Sequence, residues 1–286
     1  MPTIDLGFLQ QLDKLSLIIR KNITSNFSGE RKSKVSGSGI LFKDYSMYGP
    51  GQDIRHIDWK VYARSDKLFV KRFEEERNLT VHAIVDYSGS MGFGSQKMLK
   101  STYAAMVGVG FAYIAMKNNE RFVLSTFSDK LVSYPPKRGR AHLAYMFDLL
   151  NKRQPSGVTS FEKTLSQYKK FIDTRSYIII VSDFLYSLQE IHNVLSRFRK
   201  NQVILIQVLD PVESELDLEG DFRLQDLETK DVLKTYISPS YRKKYVAQLK
   251  EHNDSIRKFC LETNAKFYSF STSKPIFDVF YEVLQD

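Results

Sequence analysis

Four short apolar runs constrain this chain more than any other feature. Residues 81–85, 121–127, 177–181 and 202–209 are rich in Val, Ile, Leu and Phe. Residues 177–181 and 202–209 are continuous enough to be strands covered on both faces. Each run ends in acids, hydroxyls or both: Asp86, Ser128-Asp129, Ser182-Asp183 and Asp210. Helical periodicity fills the intervals, over 96–116, 141–152, 160–173 and 187–200. Strand and helix in alternation predict an α/β fold with a doubly wound, mostly parallel sheet. Beyond it, residues 222–235 predict a hairpin turning at Glu228-Thr229-Lys230. A helix over 239–262, a strand over 266–270 and a last helix over 275–284 follow. Residues 130–134 form a short extended piece stopped by Pro135-Pro136.

The stretch before residue 80 has a different character. Residues 5–25 carry leucines and isoleucines at helical spacing, giving one broad apolar face. Residues 29–39 are a polar, basic, Gly/Ser-rich link. Ser36-Gly37-Ser38-Gly39 lacks a following Gly-Lys-Ser/Thr, which argues against an ATP loop. Around the turn Gly49-Pro50-Gly51, the residues Asp53, Arg55, Asp58, Lys60 and Arg64 crowd both charge signs near Trp59, the only tryptophan. Such a segment either anchors an irregular stretch through ion pairs or offers Asp58, Trp59, Lys60 and Arg64 as a partner-binding surface. The expected division is therefore residues 1–79, an N-terminal helix, link and signature segment packed on the sheet, and residues 80–286, the sheet domain.

The 286 residues carry a net charge of +9. Arg31-Lys32-Ser33-Lys34 and residues 136–140 are the dense basic clusters, and neither interleaves aromatic platforms, which argues against a nucleic-acid role. No apolar run is long enough to span a bilayer. The N-terminus lacks the regions of a signal peptide, and Cys260 is the single cysteine. A cytoplasmic location is the expectation.

The chemistry concentrates at the end of the first sheet run. In Asp86-Tyr87-Ser88-Gly89-Ser90 an extended loop would aim one carboxylate and two hydroxyls the same way. These are hard oxygen donors suited to Mg²⁺. The other reading is local: the serines cap a helix and Asp86 bonds its own loop. Thr159, before one helix, and Asp183, after a buried strand, fall at the same sheet edge. Thr159 or Ser160 could also cap the helix they precede.

At these residues the chain resembles the von Willebrand factor A domain and its metal-ion-dependent adhesion site. Asp86, Ser88, Ser90, Thr159 and Asp183 fall on that site's five positions. Residues 45–64, 67–78 and the stretch from Asp226 through Tyr245 and His252 resemble the bacterial family called domain of unknown function 58. Two positions depart from the pattern. Gln52 replaces a usual acid, and Val158 stands where many A domains have a second glycine.

The resemblance implies Mg²⁺, or Mn²⁺ or Ca²⁺ in its place. Ser88, Ser90 and Thr159 would be direct ligands, and Asp86 and Asp183 would act directly or through water. It implies a non-catalytic interaction module that serves a MoxR-type AAA+ ATPase and an unidentified client, with a partner's acidic residue completing the metal shell. Asp86→Ala would then abolish capture and leave the fold intact. The competing readings are a metal-dependent hydrolase or phosphatase and a basic nucleic-acid binder. Against the former, the chain has no Asp-x-Asp pair, no Gly-x-Ser-x-Gly elbow and no His-Glu-x-x-His, and its five histidines are scattered. His82, on a central strand, reads as a core residue.

Overall fold

The structure is a computed structural model. It describes residues 7, 8, 10–13, 41–49, 54–74, 79–96, 98–172 and 176–285. The basic link expected over 29–39 and most of the expected helix over 5–25 lie outside these residues. The chain divides into two compact units, residues 20–78 and residues 1–19 together with 79–286.

In the smaller unit, β1 (Leu41–Met47) pairs antiparallel with β2 (Phe69–Glu74), with a register shift between Phe42 and Asp44. A 3₁₀ turn, Ile54–His56, leads to the helix Trp59–Ser65. The segment around Trp59 is thus regular where an irregular stretch was one expectation. Asp58 explains why. Its buried carboxylate caps the helix, accepting the N–H of Lys60 at 3.0 Å and of Val61 at 3.4 Å, while Tyr45 donates its hydroxyl at 2.8 Å. Capping of this kind satisfies backbone donors that have no partner inside the helix.

The larger unit is built on a six-stranded sheet. Its members are β3 (Thr80–Asp86), β4 (Arg121–Phe127), β5 (Leu131–Val132), β6 (Tyr177–Ser182), β7 (Gln202–Leu209) and β10 (Ala265–Ser271). The spatial order is β10-β7-β6-β3-β4-β5, parallel throughout except for β5. Every residue of β3 is buried, as a strand covered on both faces requires. Between β7 and β10 lies a separate hairpin, β8 (Gly220–Gln225) and β9 (Val232–Ile237), antiparallel about the turn 226–231.

On one face, helix Lys100–Lys117 lies against β3 and β4 and is buried over most of its length. Phe111 meets Phe280 of helix Ile276–Gln285 edge-on at 5.4 Å, and Phe8 of the N-terminal residues meets Phe277 at 5.8 Å. Gly110 sits under the Phe280 ring, where a Cβ would come within 2.0 Å of Cζ, so only a glycine fits. On the other face, Phe161, Leu165, Ile191, Leu195, Ile256 and Cys260 pack against Ile178 and Ile180.

Two further segments that border the strand ends differ from the sequence reading. The first sheet helix was expected from residue 96 and begins at Lys100. The preceding loop is held open because Ser95 gives its N–H to Asp210 at 2.8 Å and the Lys100 N–H bonds the Phe93 carbonyl at 2.9 Å. The acidic stretch from Glu213 was expected as loop. It opens inside a one-turn helix, Pro211–Glu215, closed by a reciprocal capping box between Asp210 and Glu213.

Candidate functional site

The sheet order fixes where a site can form. From β3 the chain moves outward to β4 and β5, then returns to the other side of β3 as β6. In open α/β sheets, ligands bind beyond the carboxyl ends of the strands at such a reversal. Val85 of β3 stands level with Val181 of β6. Asp86 and Ser182-Asp183 therefore leave the sheet side by side, and Ser88 and Ser90 follow in the β3 loop.

These side chains form one hydrogen-bonded group. The Asp86 carboxylate is fully shielded from solvent. Its Oδ1 accepts the Ser88 N–H at 2.8 Å, and its Oδ2 accepts the hydroxyls of Ser182, at 2.7 Å, and of Tyr186. Ser90 Oγ donates to Asp183 Oδ2 at 3.0 Å and lies 3.0 Å from Ser88 Oγ. Since the Ser90 proton is used on Asp183, Ser88 is the donor to Ser90. The serines bond each other and a carboxylate, and they do not cap the helix that starts at Lys100.

A lysine closes the group from behind. Lys100 Nζ donates to Asp183 Oδ2 at 3.0 Å and to Glu213 Oε1 at 2.7 Å, with its side chain wholly buried. Burial alone would pull the lysine pKa down, but the carboxylates of Asp183 and Glu213 more than offset this, and the net shift is upward. Asp86 moves the other way from a usual carboxylate. Burial first, and then the nearby Asp183 charge, push it up to about 6 against the hydrogen bonds it accepts.

Thr159 reaches this group through its loop. The Ser156 N–H bonds the Tyr87 carbonyl and the Gly89 N–H bonds the Gly157 carbonyl, both at 2.9 Å. The Thr159 side chain itself turns to Glu228 of the hairpin turn. Its N–H meets Glu228 Oε2 at 3.1 Å and its hydroxyl meets Oε1 at 3.2 Å. Ser160 occupies the N-cap position of helix Phe161–Tyr168 without a side-chain cap bond, so the capping expected of Thr159 or Ser160 is absent. Val158 is half exposed, and the positive φ of this loop, +86°, falls on Gly157. The missing second glycine therefore leaves the loop unstrained.

The structure thus joins Asp86, Ser88, Ser90 and Asp183 directly and brings the Thr159 loop beside them. In the smaller unit, Asp58 is a buried cap, whereas Trp59, Lys60 and Arg64 are exposed. The Trp59 ring meets Tyr62 edge-on at 6.1 Å. His82 lies in the core with Nδ1 2.9 Å from the Tyr168 hydroxyl. Sequence reading missed Ser182, Tyr186, Lys100, Glu213 and Glu228 as members of the group. Ser182 alone carried a signal, as the neighbour of Asp183 at a strand end.

The donor set suits a hard cation. Ser88, Ser90 and Asp183 present adjacent oxygens, and Mg²⁺ takes oxygen ligands while keeping several waters. Among the described residues no three His, Cys, Asp or Glu side chains form a metal cluster, so such a site would lean on its hydroxyls. Lys100 already balances part of the Asp183 charge, which lowers the attraction for a dication. The residues fit a weakly held Mg²⁺ better than a tightly held one.

Comparison with known proteins places the chain in a family. The model of "Protein of unknown function DUF58" matches residues 44–255, and the chain belongs to that family. Uncharacterized proteins of Mycobacterium tuberculosis and Mycobacterium bovis are 24% identical over 267 residues, covering 92% of this chain and 84% of theirs. Similar solved structures include BatB from Bacteroides thetaiotaomicron, at 12% identity and TM-score 0.48, covering 71% of this chain and 96% of that one. They also include the SpRpn10 VWA domain, at 11% identity and TM-score 0.44, covering 72% and 94%. The vWF domain of the pilus tip protein Mfa5 from Porphyromonas gingivalis is similar too, at 13% identity and TM-score 0.41, covering 72% and 94%.

Proposed function

We propose that this member of the DUF58 family is a non-catalytic protein-interaction module whose binding site depends on a divalent cation. The observation that carries the reading is the run of oxygen atoms from Ser88 through Ser90 to Asp183 at the sheet's reversal point. Ser88, Ser90 and Thr159 would offer hydroxyl ligands, with Asp86 and Asp183 acting directly or through water. The cation, Mg²⁺ or else Mn²⁺ or Ca²⁺, supplies a positive corner to which a partner's carboxylate can bind. Hydrolysis is a poorer fit. An activated serine needs a general base, and these hydroxyls hydrogen-bond each other and Asp183 Oδ2, an oxygen that also accepts from the Lys100 ammonium.

The partner in this reading is a MoxR-type AAA+ ATPase, together with a client whose acidic residue completes the cation's shell. No helix among the described residues is long and apolar enough to cross a membrane. The test is capture of the purified MoxR-type ATPase of the same genome by the immobilised full-length chain. Capture in Mg²⁺ that falls at least about tenfold in chelator supports the proposal, since losing one charge-assisted contact costs of order 1.5–3 kcal/mol. Capture that is equal in both buffers, or absent from both, contradicts it.

A further inference from the structure

The hairpin turn touches the candidate site at more than one point. Thr159 gives both its N–H and its hydroxyl to the two oxygens of Glu228, at 3.1 and 3.2 Å. Beside it the turn backbone lies on Gly89, between the two site serines. A Cβ at Gly89 would stand 2.8 Å from the Leu227 carbonyl oxygen and 3.3 Å from the Glu228 Cα. The backbone of Gly89 is ordinary, with φ −57°, so what excludes a side chain there is the turn itself.

The turn is shaped before it arrives. Asp226 accepts the N–H groups of Glu228 at 2.7 Å and Thr229 at 3.1 Å, and Lys230 Nζ bonds the Leu227 carbonyl at 2.8 Å. From Arg223 to Lys234 every residue is exposed except Leu227 and Glu228. A two-stranded hairpin standing in solvent thus presents the Leu227 backbone carbonyl and the Glu228 carboxylate to the loops that carry Ser88, Ser90 and Thr159.

We infer that Leu227–Glu228 is a built-in ligand of this site, and that the external partner is a protein carrying a carboxylate on a similarly tight turn, which must displace it. The inference rests on reading the site as a recognition site. The carboxylate is the acceptor that Thr159 selects, and the contact at Gly89 admits a turn backbone but no bulk. A tethered ligand acts at an effective concentration in the millimolar range, so it holds back weak competitors and yields to a partner with further contacts. The unliganded chain is therefore self-masked.

The test uses the full-length chain, with Glu228→Ala as the variant. The probe is a fluorescent, terminally blocked peptide of residues 225–232, beside a copy with glutamine at the position of Glu228. Polarisation is read in Mg²⁺ and in chelator. Peptide binding about tenfold tighter to Glu228→Ala than to wild type, lost with the glutamine peptide, supports the inference. Faster hydrogen exchange at the Thr159 amide in the variant supports it independently. Equal peptide affinity for both proteins, or none for either, overturns it. A gain that is identical in Mg²⁺ and in chelator upholds the built-in ligand and removes the cation from the proposed function, so the two readings fail separately.

Discussion

Lys100→Met is expected to destabilise the metal-free chain by about 3–5 kcal/mol, the usual result of removing one partner of a buried ion pair. The ammonium lies 3.0 Å from Asp183 and 2.7 Å from Glu213, and the side chain has no exposure to solvent. Methionine fills most of the same volume, so the loss is one of charge rather than of packing. At roughly 2–4 °C per kcal/mol for a chain of this size, the melting temperature should fall by about 6–20 °C in chelator. Added Mg²⁺ should recover part of that fall. Asp183 then lacks a counter-charge, and a ligand at about 100 times its dissociation constant adds about 2.7 kcal/mol. A variant within about 0.5 kcal/mol of wild type would mean that the Lys100 contacts are not made in solution.

Asp86→Asn should raise the stability of the metal-free chain and abolish Mg²⁺-dependent capture of the ATPase. The carboxylate is buried and close to Asp183, and its pKa is pushed up to about 6 from 3.8. At neutral pH the folded state carries that charge at a cost of order 1–3 kcal/mol, which a neutral amide removes. The sign follows from proton binding. Between pH 4 and 6 the folded state holds the proton more tightly than the unfolded state, so this group's contribution to stability falls as pH rises through that window. The wild-type minus Asp86→Asn stability difference should therefore shrink as pH is lowered from 7 to 4 in chelator. A flat difference, or an Asp86→Asn chain that is less stable and still captures the ATPase, would refute this account of Asp86. Alanine is the wrong probe, contrary to the expectation that it leaves the fold intact. It would strand the Ser88 N–H and one of the Ser182 and Tyr186 hydroxyls, which lie 3.0 Å apart and can use only one proton on each other, each stranded buried donor costing about 1–3 kcal/mol. A gain in stability bought at the expense of function is a common pattern at strained sites.

The alternation of apolar runs and helical patterns was enough to place the parallel sheet, because buried strands are apolar on both faces and end at polar loops. Residues 202–209 and the hairpin turn at Glu228 were legible for the same local reasons. The edge where Asp86 and Asp183 meet was legible once the sheet order was assumed. What the sequence hid is long-range charge pairing. Lys100 is one of many lysines on a basic chain, and nothing in its spacing says that it is buried between Asp183 and Glu213. Glu228 sits in a segment that reads as solvated turn, and its contact with Thr159 spans 69 residues. The late start of helix Lys100–Lys117 was hidden too, because it depends on Asp210, a strand end more than a hundred residues away.

The most direct measurement is titration of the full-length chain with Mn²⁺, followed by electron paramagnetic resonance of the free ion, with Mg²⁺ as competitor and Ser90→Ala as control. One bound Mn²⁺ per chain, displaced by Mg²⁺ and weakened at least about tenfold by Ser90→Ala, is the result expected for a cation held through serine hydroxyls. No bound ion at millimolar Mn²⁺, or binding that Ser90→Ala leaves unchanged, would contradict a cation site at the β3 and β6 ends.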